Sequence, residues 1–296
     1  MAFALAEQFG GVIVNADSAQ VYRDLPTLSA APPANELSRV EHRLFGFLDG
    51  STSCSSADWA KRARHEIAEI HAQGRFPILV GGTGLYLRTL LDGIAPVPSI
   101  DPAIRSEVRE SPVETNRRRL NELDPEAAAR LKPADTARIA RALEVVLSTG
   151  RTLSKWQIRR EGGIASKIDL RPLILLPPRD WLYGRCDQRF ATMIEQGAVE
   201  EVKALLARDL NSELPVMRGI GVREIANYLA GEATLEEAIA AGQQATRRYA
   251  KRQYTWFAHQ PPAEWTRFRE PLEEAQFDKA LRLATPPLDG EGSGVG

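Results

Sequence analysis

Three short runs constrain this chain more than any other feature. Residues 12–14 (Val-Ile-Val), 77–80 (Pro-Ile-Leu-Val) and 173–176 (Leu-Ile-Leu-Leu) are apolar throughout. A strand with one wet face alternates, whereas a strand covered on both faces reads as a continuous apolar run. That is the condition of a parallel sheet joined by crossover helices. Residues 56–73 supply one such crossover, with Trp59, Ala63, Ile67 and Ile70 repeating at helical spacing. The fold class expected is α/β with a parallel sheet core.

From residue 101 to about 166 the pattern becomes wholly helical. Pro102 and Pro125 stand where a helix start tolerates proline, and Thr149-Gly150 reads as a stop. Helical patterns return at 181–209, 221–230 and 235–257. The expected organisation is a first part of the core at 1–100, a helical insertion at 101–166, and the rest of the core with C-terminal helices at 167–285. A Gly-rich disordered tail is expected at 286–296. Residues 1–9 lack the basic start of a signal peptide and read as the end of a helix closed by Gly10.

Composition excludes more than it identifies. The 296 residues carry 38 Lys+Arg against 39 Asp+Glu, a net charge of −1. No apolar run reaches the roughly 18 residues of a membrane helix, so no membrane association is expected. Cys54 and Cys186 are too few for a disulfide framework or a structural zinc site. His65 and His71 are six apart, off a common helix face, and no Gly-x-Ser-x-Gly elbow occurs. A cytoplasmic protein is expected.

Two polar clusters come directly after the first two apolar runs. Ligands bind at the carboxyl ends of strands in an open parallel sheet. After the first run comes Asn15-Ala-Asp-Ser-Ala-Gln-Val-Tyr22. Asp17 there is a candidate general base or holder of a metal-bound water, and Ser18 and Gln20 are candidate partners for a planar heterocycle. The plainer reading is that Asp17-Ser18 caps the next helix. After the second run comes Gly81-Gly-Thr-Gly-Leu-Tyr86, a candidate anion cradle with the Thr83 hydroxyl beside it. Its plainer reading is a tight turn that needs glycine.

Two stretches are locally basic. Residues 151–171 hold Arg151, Lys155, Arg159, Arg160, Lys167 and Arg171 against Glu161 and Asp169. Residues 241–260 hold Arg247, Arg248, Lys251 and Arg252 with no acid, among Tyr249, Tyr254, Trp256 and Phe257. Cations for phosphates beside rings for unpaired bases suit an RNA surface. The alternative is a solvated basic face over a buried aromatic one.

Four segments together carry a resemblance. Asn15–Tyr22, Gly81–Tyr86, Asp135-x-x-Arg-Ile-x-Arg-Ala-Leu-Glu-Val145 and Thr246-Arg-Arg-Tyr-Ala-Lys-Arg-Gln-Tyr-Thr-Trp256 resemble, in order, the tRNA dimethylallyltransferases, the bacterial-type tRNA isopentenyltransferases. The resemblance implies a P-loop-type α/β core with a helical insertion. It implies transfer of a dimethylallyl group from dimethylallyl diphosphate to N6 of the adenine beside the anticodon, in tRNAs reading codons that start with U. Matched by motif, Asp17 is similar to the family's general base, Thr83 to its threonine at the reaction centre, and Arg218 to the arginine that steadies the diphosphate. Asp17, Ser18, Ala19 and Gln20, with Thr83, Arg105 and the segment Gln157, Ile158, Arg159, Arg160 and Glu161, resemble the tRNA contacts. Mg²⁺ as cofactor, tRNA as partner, contacted by the helical insertion at 101–166, and a monomeric state are also implied.

The sequence departs from the family in places. The phosphate-binding Gly-x-x-x-x-Gly-Lys-[Ser/Thr] loop does not occur, and the chain opens at a segment that resembles the helix after it. Either a start assigned too far downstream or a true truncation would produce this, and the activity of the chain depends on which. An absent first strand should also leave unpaired backbone groups in the sheet. Val222 stands where the family usually has Tyr, and residues 24–33 lack its usual Gly-Thr-Ala-Lys-Pro. Two other readings stay open, a P-loop nucleotide or nucleoside kinase and a non-catalytic tRNA-binding remnant.

Overall fold

The structure is a computed structural model and describes residues 1–285; the expected tail at 286–296 lies outside the described residues. All three apolar runs are strands. β1 (Val12–Asn15), β2 (His42–Arg43) and β3 (Pro77–Val80) form a parallel sheet in the order β2-β1-β3, with Val12 opposite Pro77 and Asn15 opposite Val80. β4 (Leu173–Leu175) and β5 (Thr266–Phe268) form a second parallel pair. β1 is the central strand and is buried at every position.

Full coverage fails for the other two runs. β3 and β4 each have one strand neighbour and are edge strands. Val80 is accordingly 38% exposed and Leu175 36%. The strands also divide between two sheets instead of forming one. β2 and β5 escape sequence reading because two or three residues, all but Phe268 basic or polar, carry no apolar run.

One compact unit comprises Met1–Arg88 together with the chain from Ile168. In it, α1 (Ala2–Phe9) ends, as expected, in a left-handed Gly10 (φ 68°). After the short α2 (Ala34–Leu37), α3 (Ser56–Ala72) starts from a reciprocal Ser55–Asp58 capping box and buries the periodic residues Trp59, Ala63, Ile67 and Ile70. Both α1 and α3 pack on β1 and β3. α4 (Gly84–Asp92) comes after the glycine turn that ends β3.

Residues Thr89–Lys167 form the second compact unit. It holds five helices: α5 (Pro102–Glu110), α6 (Val113–Leu123), α7 (Pro125–Arg130), α8 (Thr136–Thr149) and α9 (Leu153–Gln157). Asp101, Asp124 and Asp135 cap three of them, and Pro102 and Pro125 take first-turn positions. Val108, Leu120, Ile139 and Leu143 make its core.

In the first unit the pattern at 181–209 divides into α10 (Arg179–Glu195) and α11 (Ala198–Leu206), because Gly197 takes φ 99° between them. Next come α12 (Val222–Leu229) and the 25-residue α13 (Leu235–His259), and α14 (Glu274–Ala284) lies beyond any helix the sequence suggested. α13 runs against α10 so closely that a Cβ on Gly242 would stand 2.1 Å from the Phe190 ring. Among the described residues no helix is long and apolar enough to cross a membrane.

Candidate active site

Asn15 ends β1 fully buried, and its amide organises the turn beyond the strand. Nδ2 donates to the Asp17 and Leu44 carbonyls (3.0 and 2.9 Å), while Oδ1 accepts the Asp17 N–H (2.7 Å). The Trp59 indole donates to the Asn15 carbonyl (2.9 Å), and Trp59 stacks on Tyr86 at 4.6 Å. The turn that presents Asp17 is therefore held from both sides. No helix starts there, so Asp17 is not a helix cap; its Oδ1 accepts the Ala19 N–H (2.8 Å) in a local turn. Burial raises the Asp17 pKa above its ordinary value, with the Ala19 N–H and the Arg189 charge pulling it partly back.

Thr83 joins the two strand ends. Its hydroxyl accepts the Ser18 N–H (2.9 Å) and pairs with the Ser18 hydroxyl (3.1 Å). The phenol of Tyr249, on α13, lies beside Thr83 and Gln253, and burial raises its pKa. Thr83 is thus a shared hub between β1 and α13.

Two backbone donors of the anion cradle expected at Gly81–Gly84 are spent on neighbouring carbonyls. The Thr83 N–H donates to the Ala16 carbonyl (3.2 Å) and the Gly84 N–H to the Gly82 carbonyl (3.2 Å), so these donors are already engaged. The glycines also serve close packing. A Cβ on Gly81 would stand 2.2 Å from the Ala16 backbone, on Gly82 1.9 Å from the Gln253 amide, and on Gly84 2.4 Å from the Trp256 ring.

The aromatics of the second basic stretch are therefore partly inward walls of the site, while Arg248, Lys251 and Arg252 stay exposed. Arg247 is not free; it pairs with Asp187 on α10 (2.5 Å). Arg189 on α10, near Asp17, reaches solvent yet is crowded enough that desolvation lowers its pKa. Sequence reasoning missed Asn15, Arg189 and Tyr249 as members of the site. The signal for Tyr249 was its place in the basic-aromatic run; Arg189 had none.

The remaining expected residues divide by unit. Gln20 sits beside Asp17 but spends its amide donors on the Ser29 and Ala30 carbonyls (3.1 and 2.7 Å), so it braces the loop and does not offer them to a heterocycle. Ala19 is exposed and Ser18 half-buried. Arg218 lines a cavity of about 700 Å³ with Arg223, Arg248, Arg252, Met217 and Ile220, and forms an exposed ion pair with Glu213. Arg252 in turn stacks on the Tyr249 ring at 5.4 Å. In the second unit Arg105 is exposed, and Gln157–Glu161 form a continuous exposed stretch in which Ile158 is 83% exposed. There Arg160 pairs with Asp92 (2.9 Å) and Arg159 with Glu161 (3.2 Å).

Asp17 brings a single carboxylate, and among the described residues no group of three His, Cys, Asp or Glu is placed to hold a metal ion.

A comparison with protein families matches residues 20–260 to the model described as IPP transferase. The chain belongs to the IPP transferase family. Similar members include the tRNA dimethylallyltransferase of Sphingopyxis alaskensis, 62% identical over 96% of this chain and 93% of that protein. That of Erythrobacter litoralis is 61% identical over 86% of this chain and 81% of that protein. Among solved structures, the full-length tRNA isopentenylpyrophosphate transferase of Bacillus halodurans aligns over 96% of this chain and 89% of its own, with a TM-score of 0.68 at 33% identity. A eukaryotic dimethylallyltransferase acting on tRNA aligns over 95% of this chain and 73% of its own, with a TM-score of 0.79 at 25% identity. These neighbours carry the P-loop-like α/β architecture expected from the sequence, and membership in the IPP transferase family sets aside the kinase reading.

Proposed function

We propose that this member of the IPP transferase family transfers a dimethylallyl group from dimethylallyl diphosphate to N6 of the adenine beside the anticodon, in tRNAs reading codons that start with U. The observation that carries the reading is Asp17. It is a carboxylate at the carboxyl end of the central strand, fixed by the Asn15 amide and raised in pKa by burial. An aromatic amine is a weak nucleophile, and a base that removes its proton as the bond forms contributes about 10²–10⁴-fold.

In the step proposed, the N6 lone pair forms a bond to C1 of the dimethylallyl group. The C1–O bond breaks with its electron pair leaving on the diphosphate, and the N6 proton passes to Asp17. The departing charge needs cations, which the Arg218, Arg223, Arg248 and Arg252 guanidiniums lining one cavity supply. The apolar side chains of Met217 and Ile220 in the same wall suit a prenyl tail. Thr83, held by Ser18 and lying beside Tyr249, fixes the floor beside Asp17. The adenine must leave its stack to reach the carboxylate. Mg²⁺, implied by the resemblance, would help neutralise the charge of the departing diphosphate when bound. The chain is proposed to act as a monomer.

The test traces labelled dimethylallyl diphosphate into unmodified tRNA. Label in the tRNA with the natural chain, lost in Asp17→Ala while tRNA binding persists, supports the reading. Tight, salt-sensitive tRNA binding by the natural chain with no label transferred at any diphosphate concentration overturns it in favour of a binding remnant.

A further inference from the structure

A second cavity, of about 690 Å³, lies between the loop before α3 and the first turns of that helix. It shares no lining residue with the cavity of Arg218. Both of its walls are fixed by the chain itself. On the loop side the Gly50 N–H donates to the Asp24 carboxylate (2.7 Å), and the Ser51 N–H and hydroxyl donate to Asp49 (3.0 and 2.7 Å). Arg208 pairs with the same Asp49 (2.7 Å). On the helix side the Ser55–Asp58 capping box sets the first turn of α3. A preformed hollow of this volume has the size of a small-molecule site.

The cations in this hollow are not cancelled from within. Lys61 and Arg62 line it, both exposed, and among the described residues neither forms an ion pair. Of the acids in the wall, Glu66 is taken by Arg43 (2.8 Å), and Asp58 Oδ2 accepts the Ser55 N–H and hydroxyl (3.1 and 2.6 Å). His65 turns its Nε2 to Glu69 (3.3 Å). The Arg62 guanidinium lies over the Phe47 ring at 5.1 Å, a contact that holds its plane and leaves its edge nitrogens for an anion. Thr52 and Ser53 bring two hydroxyls to the loop side, and Leu48 and Cys54 a less polar stretch of wall. A phosphate dianion offers three oxygens, enough for both cations and the hydroxyls together. A carboxylate or a phosphodiester offers two oxygens and a single charge, a poorer match.

We infer that this cavity binds a phosphate dianion, free or as a small monoester, through Lys61 and Arg62 with the Thr52 and Ser53 hydroxyls beside them. The organic group of an ester would lie against Leu48 and Cys54. The site is apart from Asp17 and Arg218 and does not rest on the transfer reaction.

Cys54 reports occupancy directly, because its half-buried thiol is part of the wall. The full chain is alkylated with N-ethylmaleimide, alone and with millimolar glycerol phosphate, adenosine monophosphate or inorganic phosphate. Peptide mass spectrometry follows the rates at Cys54 and at Cys186, a half-buried thiol on α10 that serves as reference. The phosphate compounds should slow Cys54 several-fold and leave Cys186 at its own rate. Stronger protection by the esters than by inorganic phosphate supports an ester as the occupant, and equal protection supports free phosphate. Lys61→Gln/Arg62→Gln changes only exposed side chains and should raise the concentration needed for protection by about a hundredfold, roughly tenfold for each lost contact. Arg218→Gln should leave the protection of Cys54 unchanged. No protection by any of the three compounds overturns the site, as does protection that survives in the double variant. A slowing confined to Cys186 places the phosphate elsewhere and overturns it too. Protection by unmodified tRNA alone overturns it in favour of an RNA contact.

Discussion

Burying the Asp17 carboxylate raises its pKa, and the same shift acts on stability and on chemistry with opposite signs. The folded state then holds the proton more tightly than the unfolded chain. Stability therefore falls as pH rises from the unfolded pKa through the raised folded one, and above both the ionised carboxylate is a net cost. Asp17→Asn keeps an oxygen for the Ala19 N–H and removes that cost. Near pH 7.5 it should melt at the same temperature as the natural chain or higher by calorimetry, while transfer falls by about 10²–10⁴-fold. A melting point several degrees lower would show that the charge is needed for the fold. The acid limb of kcat/KM should lie above the ordinary carboxylate value of about 4, since the base works only when ionised. The turn glycines give a graded test. Gly81→Ala meets rigid backbone, Gly84→Ala an indole ring, and Gly82→Ala the movable end of Gln253. Losses in melting stability should keep that order, with Gly81→Ala the worst at about 1–3 kcal/mol.

Helix boundaries report the same logic one level up. Gly197 separates α10 from α11 at φ 99°, where a side chain is strained, so Gly197→Ala should cost about 1–2 kcal/mol in chemical denaturation. Gly184 lies inside α10 with nothing within 4 Å of an added Cβ. Gly184→Ala should stabilise by about 0.5–1 kcal/mol, and a loss there would mean that an unseen contact needs the space. α3 was legible from its apolar period, and the end of α8 from the stop at Thr149-Gly150. The break at Gly197 was not, because an apolar period runs on across it and glycine inside a helix is merely weak. β2 and β5 were illegible because their pairing is chosen by neighbours distant in sequence.

Two compact units imply two local stabilities within one chain. Leu143 is fully buried in the core of Thr89–Lys167. Leu143→Ala should cost about 2–5 kcal/mol. In native-state hydrogen exchange, protection should fall across α5–α8 first, with β1 and α3 holding theirs. Uniform loss over both units would show that they unfold together. A net charge of −1 conceals how cations are distributed over these units. Arg247 and Arg160 are spent on ion pairs, whereas Arg248, Lys251 and Arg105 face solvent.

The sequence alone determined the α/β class, the helical insertion, the place of Asp17 at a strand end and the family. These are local matters: an apolar run, a capping residue and a motif survive without knowing what packs against them. Only the tertiary structure decided that β3 and β4 are edges, that Gly82 and Gly84 make room for Gln253 and Trp256, and that Gln20 braces a loop. It alone brought Arg189 and Tyr249 to Asp17, from about 170 and 230 residues away along the chain. Burial and hydrogen-bond partners belong to pairs of segments, and a carboxylate or a glycine carries no mark of its future neighbour until the chain has closed around it.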